Sequence, residues 1–333
     1  MSIRLGVVMD PIAHITPRKD TSLALLLAAQ RRGWELRYME QPDLHLINGR
    51  AWARQRCLEV RDDNADWYRF GAEQTTPLSE LDIILMRKDP PVDAAFTHAT
   101  HILELAESEG VLVANKPASL RDVNEKLSIS WFPDCCAPTV VDADAGRLKA
   151  FIAEQGKTVL KPLDGMGGKS IFVVTHGDPN TTVIIDTLTE SGLRPIMAQQ
   201  HLPAISDGDK RVLLINGEPV SHMLARVPLA GESRGNLAAG GRGVAAPIGD
   251  AERRICARVG PELRRRGLWL VGLDVIGDRL TEINVTSPTC VREIDAAFDT
   301  DIGGALLDAL AAALPRHRSD AGADPNGARP SAH

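Results

Sequence analysis

Apolar positions open the chain as strand and helix in alternation. Residues 3–9 read as a buried strand, and Leu23, Leu26 and Leu27 then recur at helical spacing. That recurrence predicts a helix from about Asp20 to Arg32, with Asp20 or Thr21 as its cap and Gly33 as its stop. Further strands are expected at 34–39, 82–87 and 111–114, with a helix at about 93–109 between the last two. Strand, helix, strand at this spacing predicts a small parallel α/β sheet over roughly residues 1–120.

From about 120 the pattern becomes α+β. A helix is expected to start near Asp122 and carry Lys126, followed by strands and hairpins at 157–161, 171–174, 211–226 and 268–285. Asn216-Gly217 signals a two-residue hairpin turn. No internal repeat is visible. After Leu314-Pro315 apolar periodicity ends, which predicts a disordered tail.

Within 268–285, polarity selects a register. If Gly277-Asp278 alone made the turn in LVGLDVIGDRLTEINVTSP, Leu273 would face Glu282 and both faces would mix apolar with polar residues. A three-residue turn, 277–279, pairs Asp274 with Glu282 and Gly272 with Asn284. It also gathers Val271, Leu273, Val275, Ile283 and Val285 on the other face. A one-residue slip exchanges the faces, so burial favours the second register. Asp274, Glu282 and Asn284 then share one face, and such oxygen donors suit Mg²⁺; a solvated polar face would look the same.

Composition narrows the class. At 44% hydrophobic and 25% charged residues, the 333-residue chain reads as ordinary globular protein with room for two or three cores. A net charge of −6 argues against a nucleic-acid partner. No signal peptide and no bilayer-spanning stretch is read, and the five cysteines form no C-x-x-C pair, so reduced thiols and a cytoplasmic location are expected.

Two stretches carry candidate anion chemistry. VLKPLDGMGGKS, 159–170, ends like a P-loop, but the required first glycine is Leu163, which excludes that motif. What remains is a strand bearing Lys161 and a turn whose glycines at 165, 167 and 168 can converge backbone N–H groups on an anion. The first strand runs into MDPIAHI, without the glycines of a dinucleotide-binding turn. ARVPLAGESRGNLAAGGRG, 225–243, puts Arg226, Arg234 and Arg242 on a glycine-rich segment, which predicts a mobile lid over an anionic site.

Lys126, Lys161, the Gly165–Gly168 turn and the Asp274/Glu282/Asn284 hairpin resemble the ATP-grasp ligases. The likeness is closest to the prokaryotic glutathione synthetase family, through GVVMDPI, ILMRKDPP, NKPASLRDVNEKL, LKPLDGMGG, RGNLAAGGRG and LTEINVTSP, and it runs to about residue 314. It implies an ATP-grasp fold behind an N-terminal parallel α/β domain: 1–121, a central lid 122–202, a C-terminal part 203–315 and the tail 316–333. The resemblance further implies that Lys126 and Lys161 contact ATP phosphates beneath Gly165, Met166, Gly167 and Gly168. Gln199, Gln200 and Leu202 would border adenine, Asp209 the ribose and Arg211 the phosphates. Asp274, Glu282 and Asn284 would hold Mg²⁺ or Mn²⁺, Arg87, Asn284 and Ser287 would bind the peptide, and Arg226, Arg234 and Arg242 would assist catalysis. The implied reaction joins γ-glutamylcysteine to glycine through an acyl phosphate, in a homotetramer. An ATP-grasp ligase with other substrates, or a regulatory ATP-binding protein on the same fold, stays open at this point.

Overall fold

A computed structural model of the chain describes residues 2–229 and 242–322, with side chains of the last helix described to residue 314. The first sheet contains β1 (Arg4–Met9), β2 (Glu35–Met39), β3 (Leu44–Ile47), β4 (Arg50–Val60), β5 (Tyr68–Pro77), β6 (Ile83–Arg87) and β7 (Leu112–Ala114). Its order is β3-β4-β2-β1-β6-β7, with β5 paired to β4. The strands β2, β1, β6 and β7 are parallel, as their spacing predicts. The sequence reading missed β3, β4 and β5, which extend that sheet as an antiparallel meander.

Helix α1 (Thr21–Arg31) is capped by Asp20, whose Oδ1 accepts from the Leu23 amide at 2.7 Å. It lays Leu23 and Leu26 on one face of the sheet, where α8 (Ile302–Gly322) adds Leu306 and Leu310. Helix α2 (Ala94–Ser108) covers the other face with Phe96 and Leu103. The last helix passes Pro315 and runs to Gly322, so residues 316–322, expected in a disordered tail, are helical. Residues 323–333 lie outside the described residues. No helix among the described residues is long and apolar enough to cross a membrane.

The helix expected at 122 instead starts earlier: α3 is Pro117–Asp122, with proline at its first turn. Lys126 follows it in a turn, where the Asn124 side chain accepts from the Lys126 and Leu127 amides. A side chain that captures those amides gives the backbone an alternative to the helix.

A second sheet, ordered β10-β9-β11-β8, comprises β8 (Thr139–Asp142), β9 (Lys157–Pro162), β10 (Phe172–Thr175) and β11 (Ile196–Gln200). Helices α4 (Ala145–Gln155) and α5 (Thr181–Leu188) close its core through Leu148, Ile152 and Ile185. The third sheet, β14-β13-β12-β15-β16, comprises β12 (Asp209–Ile215), β13 (Glu218–Val227), β14 (Arg242–Pro247), β15 (Leu270–Ile276) and β16 (Arg279–Asn284). Helices α6 (Asp250–Arg265) and α7 (Val291–Phe298) pack on it. Asn216-Gly217 makes the expected turn, with positive φ at both residues.

The β15–β16 hairpin has the expected pairs by a different route. Gly272 faces Asn284 and Asp274 faces Glu282, while Val271, Leu273, Val275, Ile283 and Val285 are fully buried opposite. The turn, however, has two residues: Ile276 pairs with Arg279 and Val275 with Leu280, and a bulge then absorbs Thr281. An extra residue in one strand shifts parity as an extra turn residue would. Burial of the apolar face decided the register, and the chain satisfied it with a bulge.

Asn115, just after β7, fastens the first sheet to the third. Its buried amide donates to the carbonyls of Leu270 and Val285 (2.9 and 2.7 Å) and accepts from the Trp269 and Leu270 amides (2.6 and 2.9 Å). Asn115→Ala strands these buried partners, and since each unsatisfied group costs about 1–3 kcal/mol, a loss of roughly 2–4 kcal/mol is expected. Urea denaturation measures it, and an unchanged midpoint would show the latch to be inert.

Candidate active site

Most of the residues implicated in ATP binding line one cleft between the second and third sheets. It collects Lys126, Lys161, Gly165–Gly168, Gln199, Gln200, Leu202 and Asp209, together with Asp274 and Glu282. The cleft has two kinds of wall. Val159, Ile171, Val173, Leu202, Ile205 and Ile276 form an apolar slot, and the lysines and carboxylates stand at its polar end. Such a slot with a few convergent charges suits a flat heterocycle joined to an anion.

Strand parity explains the walls. Val159 and Lys161 share one face of β9, while Thr158 and Leu160 point into the second sheet's surroundings and are fully buried. The sequence reading used Lys161 without drawing in Val159, Ile171 and Val173, though alternation from the lysine could have found them. Ile205, Ile276 and Lys169 were also missed; the first two carry no local signal, because distant segments bring them there.

The two lysines converge. Lys161 Nζ is buried and donates to Thr281 O at 3.3 Å and Gln199 Oε1 at 3.5 Å. Burial lowers its pKa, against the raising effect of Glu282. Lys126 Nζ donates to Gly165 O at 2.5 Å and lies 3.6 Å from Glu282 Oε1. Gln199, expected at the adenine edge, is buried and orients Lys161 while donating to Thr139 Oγ1 at 2.9 Å. In the turn above, Gly167 and Gly168 have φ of 66° and 76°, the left-handed conformation that glycine adopts without strain.

Behind the lysines lies a charge cluster on adjacent strands of the third sheet. Arg211 grips Asp274 with two bonds, Nε to Oδ1 at 2.6 Å and Nη2 to Oδ2 at 3.2 Å. Arg226 Nη2 reaches Asp274 Oδ2 at 2.9 Å and Asp209 Oδ2 at 2.5 Å. Gly272 makes room for this, because a Cβ there would come within 2.8 Å of Arg211 Cδ. Although burial disfavours its charge, Asp274 is held below the ordinary carboxylate pKa by Arg211 and Arg226. Burial pushes Asp209 up to about 7, opposed by Arg226 and reinforced by Asp274 and Glu282. Asp209 Oδ1 is buried and has no protein hydrogen-bond partner.

This arrangement revises several expected roles. Arg226 belongs to β13 and is buried in the cluster, because two carboxylates compensate its desolvation; it is not a lid residue. Arg211 likewise serves Asp274, and it borders the cavity beside the cleft instead of the cleft itself. Arg242 opens β14, paired with Val227, so both ends of the stretch 225–243 belong to strands and not to a lid. Arg234 and most of the expected lid lie outside the described residues.

That adjoining cavity is bordered by Glu282, Asn284, Ser287, Glu125, Arg211 and Arg226, among others. Arg87 is not on its wall: it is buried, its Nε donating to Ser22 Oγ at 3.1 Å and its Nη2 to Pro288 O at 3.0 Å. Burial lowers the Arg87 pKa, against Asp20 and Asp89.

The donor set suits a hard divalent cation. Among the described residues no group of three or more His, Cys, Asp or Glu could hold a metal. Glu282 and Asn284 nonetheless offer two oxygens on one face, since Asn284 Nδ2 donates to Gly272 O at 3.2 Å and leaves its Oδ1 free. Asp274 is shared with two arginines: its Oδ2 accepts from both, whereas its Oδ1 accepts from Arg211 Nε and keeps a further lone pair. A cation that also takes phosphate and water oxygens needs no larger protein cage. Of the five cysteines, all are free and none is required by this geometry.

Residues 3–121 match the prokaryotic glutathione synthetase N-terminal domain, and residues 125–299 match the prokaryotic glutathione synthetase ATP-grasp domain. A glutathione synthetase from Pseudomonas putida is 61% identical over 310 residues, covering 93% of this chain and 98% of that protein. One from Salmonella typhimurium is 60% identical over 314 residues, covering 94% and 100%. Among solved structures, the D-cycloserine synthetase DcsG overlays with a TM-score of 0.62 at 15% identity, covering 93% of this chain and 99% of that one. The ATP-grasp ligase PsnB, complexed with minimal precursor, Mg and ADP, gives 0.60 at 17% identity, covering 94% and 98%. These two show the shared fold alone. With both domain models matched in order and relatives of about 60% identity along almost their whole length, the chain belongs to the prokaryotic glutathione synthetase family of ATP-grasp ligases.

Proposed function

We infer that the protein joins γ-glutamylcysteine to glycine, converting ATP to ADP and phosphate. The observation that carries this reading is the meeting of Lys126, Lys161 and Glu282 where an apolar slot opens toward the cavity of Asn284 and Ser287. Nucleotide and peptide would meet end to end there, with the γ-phosphate between them.

A carboxylate is a poor electrophile, so the peptide's carboxylate first attacks the γ-phosphorus and ADP leaves. Glycine's deprotonated amine then attacks the acyl carbon of the acyl phosphate, and phosphate departs. Lys126 and Lys161 bear on the phosphate charge, which is where electrostatic catalysis has most effect. Gly165, Met166, Gly167 and Gly168 would cover the phosphates and exclude water, while Gln200 and Leu202 border the base. Asp209 has an unpartnered oxygen to offer a ligand hydroxyl. Asp274, Glu282 and Asn284 would hold Mg²⁺ or Mn²⁺, which supplies further positive charge at the phosphate oxygens. Ser287 and Asn284 would contact the peptide, with Arg87 bracing that wall through Pro288. Arg226 secures Asp274, and Arg242 and Arg234 are proposed to approach the anionic substrates.

The division of labour we propose is 1–121 for substrate, 122–202 for the nucleotide lid and 203–315 for the cation. A cytoplasmic location accords with five free thiols. A homotetramer is proposed from family membership, and light scattering on the purified protein would test it.

The deciding experiment is ADP release with ATP, γ-glutamylcysteine and glycine, omitting each in turn. ADP formation is expected to require γ-glutamylcysteine, and full turnover to require glycine. No turnover with γ-glutamylcysteine, or equal turnover with D-alanine pairs, would replace this reading with another ATP-grasp ligase activity.

A further inference from the structure

The tripeptide Asn124-Glu125-Lys126 makes more contacts around the site than its lysine alone explains. Asn124 Nδ2 donates to Leu163 O at 3.3 Å, at the entry to the glycine turn. Lys126 reaches Gly165 O and Glu282, as described. Glu125, between them, holds the end of β16. Its main-chain carbonyl accepts from the Ile283 amide at 2.9 Å. Its Oε1 accepts three bonds, from the amides of Val285 and Thr286 at 2.8 and 3.0 Å and from Thr286 Oγ1 at 2.9 Å.

These bonds fall on either side of Asn284. Ile283 and Val285 point into the core, so pinning both of their amides fixes the intervening residue against rotation about the strand. The same grip on Thr286 sets where Ser287 leaves the strand. An ionised carboxylate accepting from backbone amides makes a stronger bond than a neutral acceptor, and three donors on one oxygen leave it little freedom. Lys126 is the next residue in the chain, about 3.8 Å away between Cα atoms.

We propose that Glu125 is a positioning residue for the ligase reaction. It holds Glu282, Asn284 and Ser287 in fixed register with Lys126, so that the phosphate-binding ammonium and the cation-binding oxygens move as one rigid group. The role rests on the reading of Glu282 and Asn284 as cation ligands. Glu125 need not touch the substrates to perform it, because what it supplies is alignment of groups that do. Residues behind metal ligands commonly change affinity or activity by about 10–100-fold when removed.

The test uses full-length enzyme and the variants Glu125→Ala, Glu125→Gln, Glu282→Gln and the Glu125→Ala/Glu282→Gln double. For each, kcat, KM for ATP, the Mg²⁺ concentration giving half-maximal activity and the thermal midpoint are measured. Glu125→Ala is expected to lower kcat and raise the Mg²⁺ requirement, each by about 10-fold or more. Glu125→Gln keeps an acceptor oxygen and is expected to return both to within a few-fold of the parent. The double variant is expected to fall short of the product of the single effects, the mark of two residues acting through each other. A lowered thermal midpoint with unchanged kcat and Mg²⁺ response would overturn the proposal, as would a Gln variant as defective as Ala. If Glu125→Ala does not fold, Glu125→Asp takes its place, with the same defect expected from the shortened reach. Should Glu282→Gln leave the Mg²⁺ response unchanged, the cation reading fails by itself. The tie to Lys126 would then be upheld by a raised KM for ATP in the Glu125 variant, and refuted by an unchanged one.

Discussion

Asp274→Ala is expected to unfold the third sheet's charge cluster and abolish turnover together. Arg211 and Arg226 are both buried, and Asp274 bonds to each of them. Removing one partner of a buried ion pair costs about 3–5 kcal/mol, because the remaining charge stays desolvated. Here two guanidinium groups lose a partner at once; Arg226 keeps Asp209, whereas no other ion-pair partner is described for Arg211. The loss should therefore fall at the upper end of that range. Asp274→Asn keeps an acceptor oxygen and the volume, and is expected to recover part of the stability without recovering activity. Denaturant titration followed by tryptophan fluorescence separates the two variants, with Trp269 adjoining β15 as a local reporter. Equal stability of Asp274→Ala and the parent would mean that water reaches the arginines and that the cluster is not a structural unit.

Lys161→Met should have the second large effect, with the opposite signature. Methionine is close to lysine in length and apolar, so the buried stem on β9 is replaced without a cavity, and the protein should fold. What disappears is the ammonium held between Thr281 O and Gln199 Oε1, facing the polar end of the cleft. Losing one preorganised charge-stabilising group commonly costs about 10²–10³-fold in kcat. ADP release should drop by that order, while the thermal midpoint stays equal or rises because a desolvated charge is gone. If turnover is retained within a few-fold, Lys161 is a structural lysine and Lys126 alone handles the phosphates.

How much of this was readable in the chain depends on how far apart the cooperating residues lie. The parallel strands β1, β6 and β7 were legible as short apolar runs, and helices α1 and α2 as local periodic patterns capped by Asp20 and Asp93. The meander β3–β5 was not, since its strands carry many exposed charged positions. In β4, Arg50, Arg54 and Glu59 alternate with buried Ala51, Ala53 and Val60, which reads as surface unless the period of two is counted. At the site, Lys161, the glycine turn and the Asp274–Glu282 pairing were accessible from motif and polarity. The roles of Arg211, Arg226 and Arg87 were not, because each is set by a partner from another element. A sequence offers three arginines near an anionic site without saying which of them are already spent on aspartates.

The bulge at Thr281 has an evolutionary consequence. What the site requires is an odd number of residues between Asp274 and Glu282, and the chain supplies it as an even turn plus one supernumerary position. A relative could lose the bulge and lengthen its turn by one residue while keeping both carboxylates opposed. Single insertions or deletions in this hairpin should therefore occur in compensating pairs, and an uncompensated one should be purged. Because a lost bulge and a turn longer by one leave the number of residues between Asp274 and Glu282 unchanged, such chains would align without a gap although their turns differ in shape.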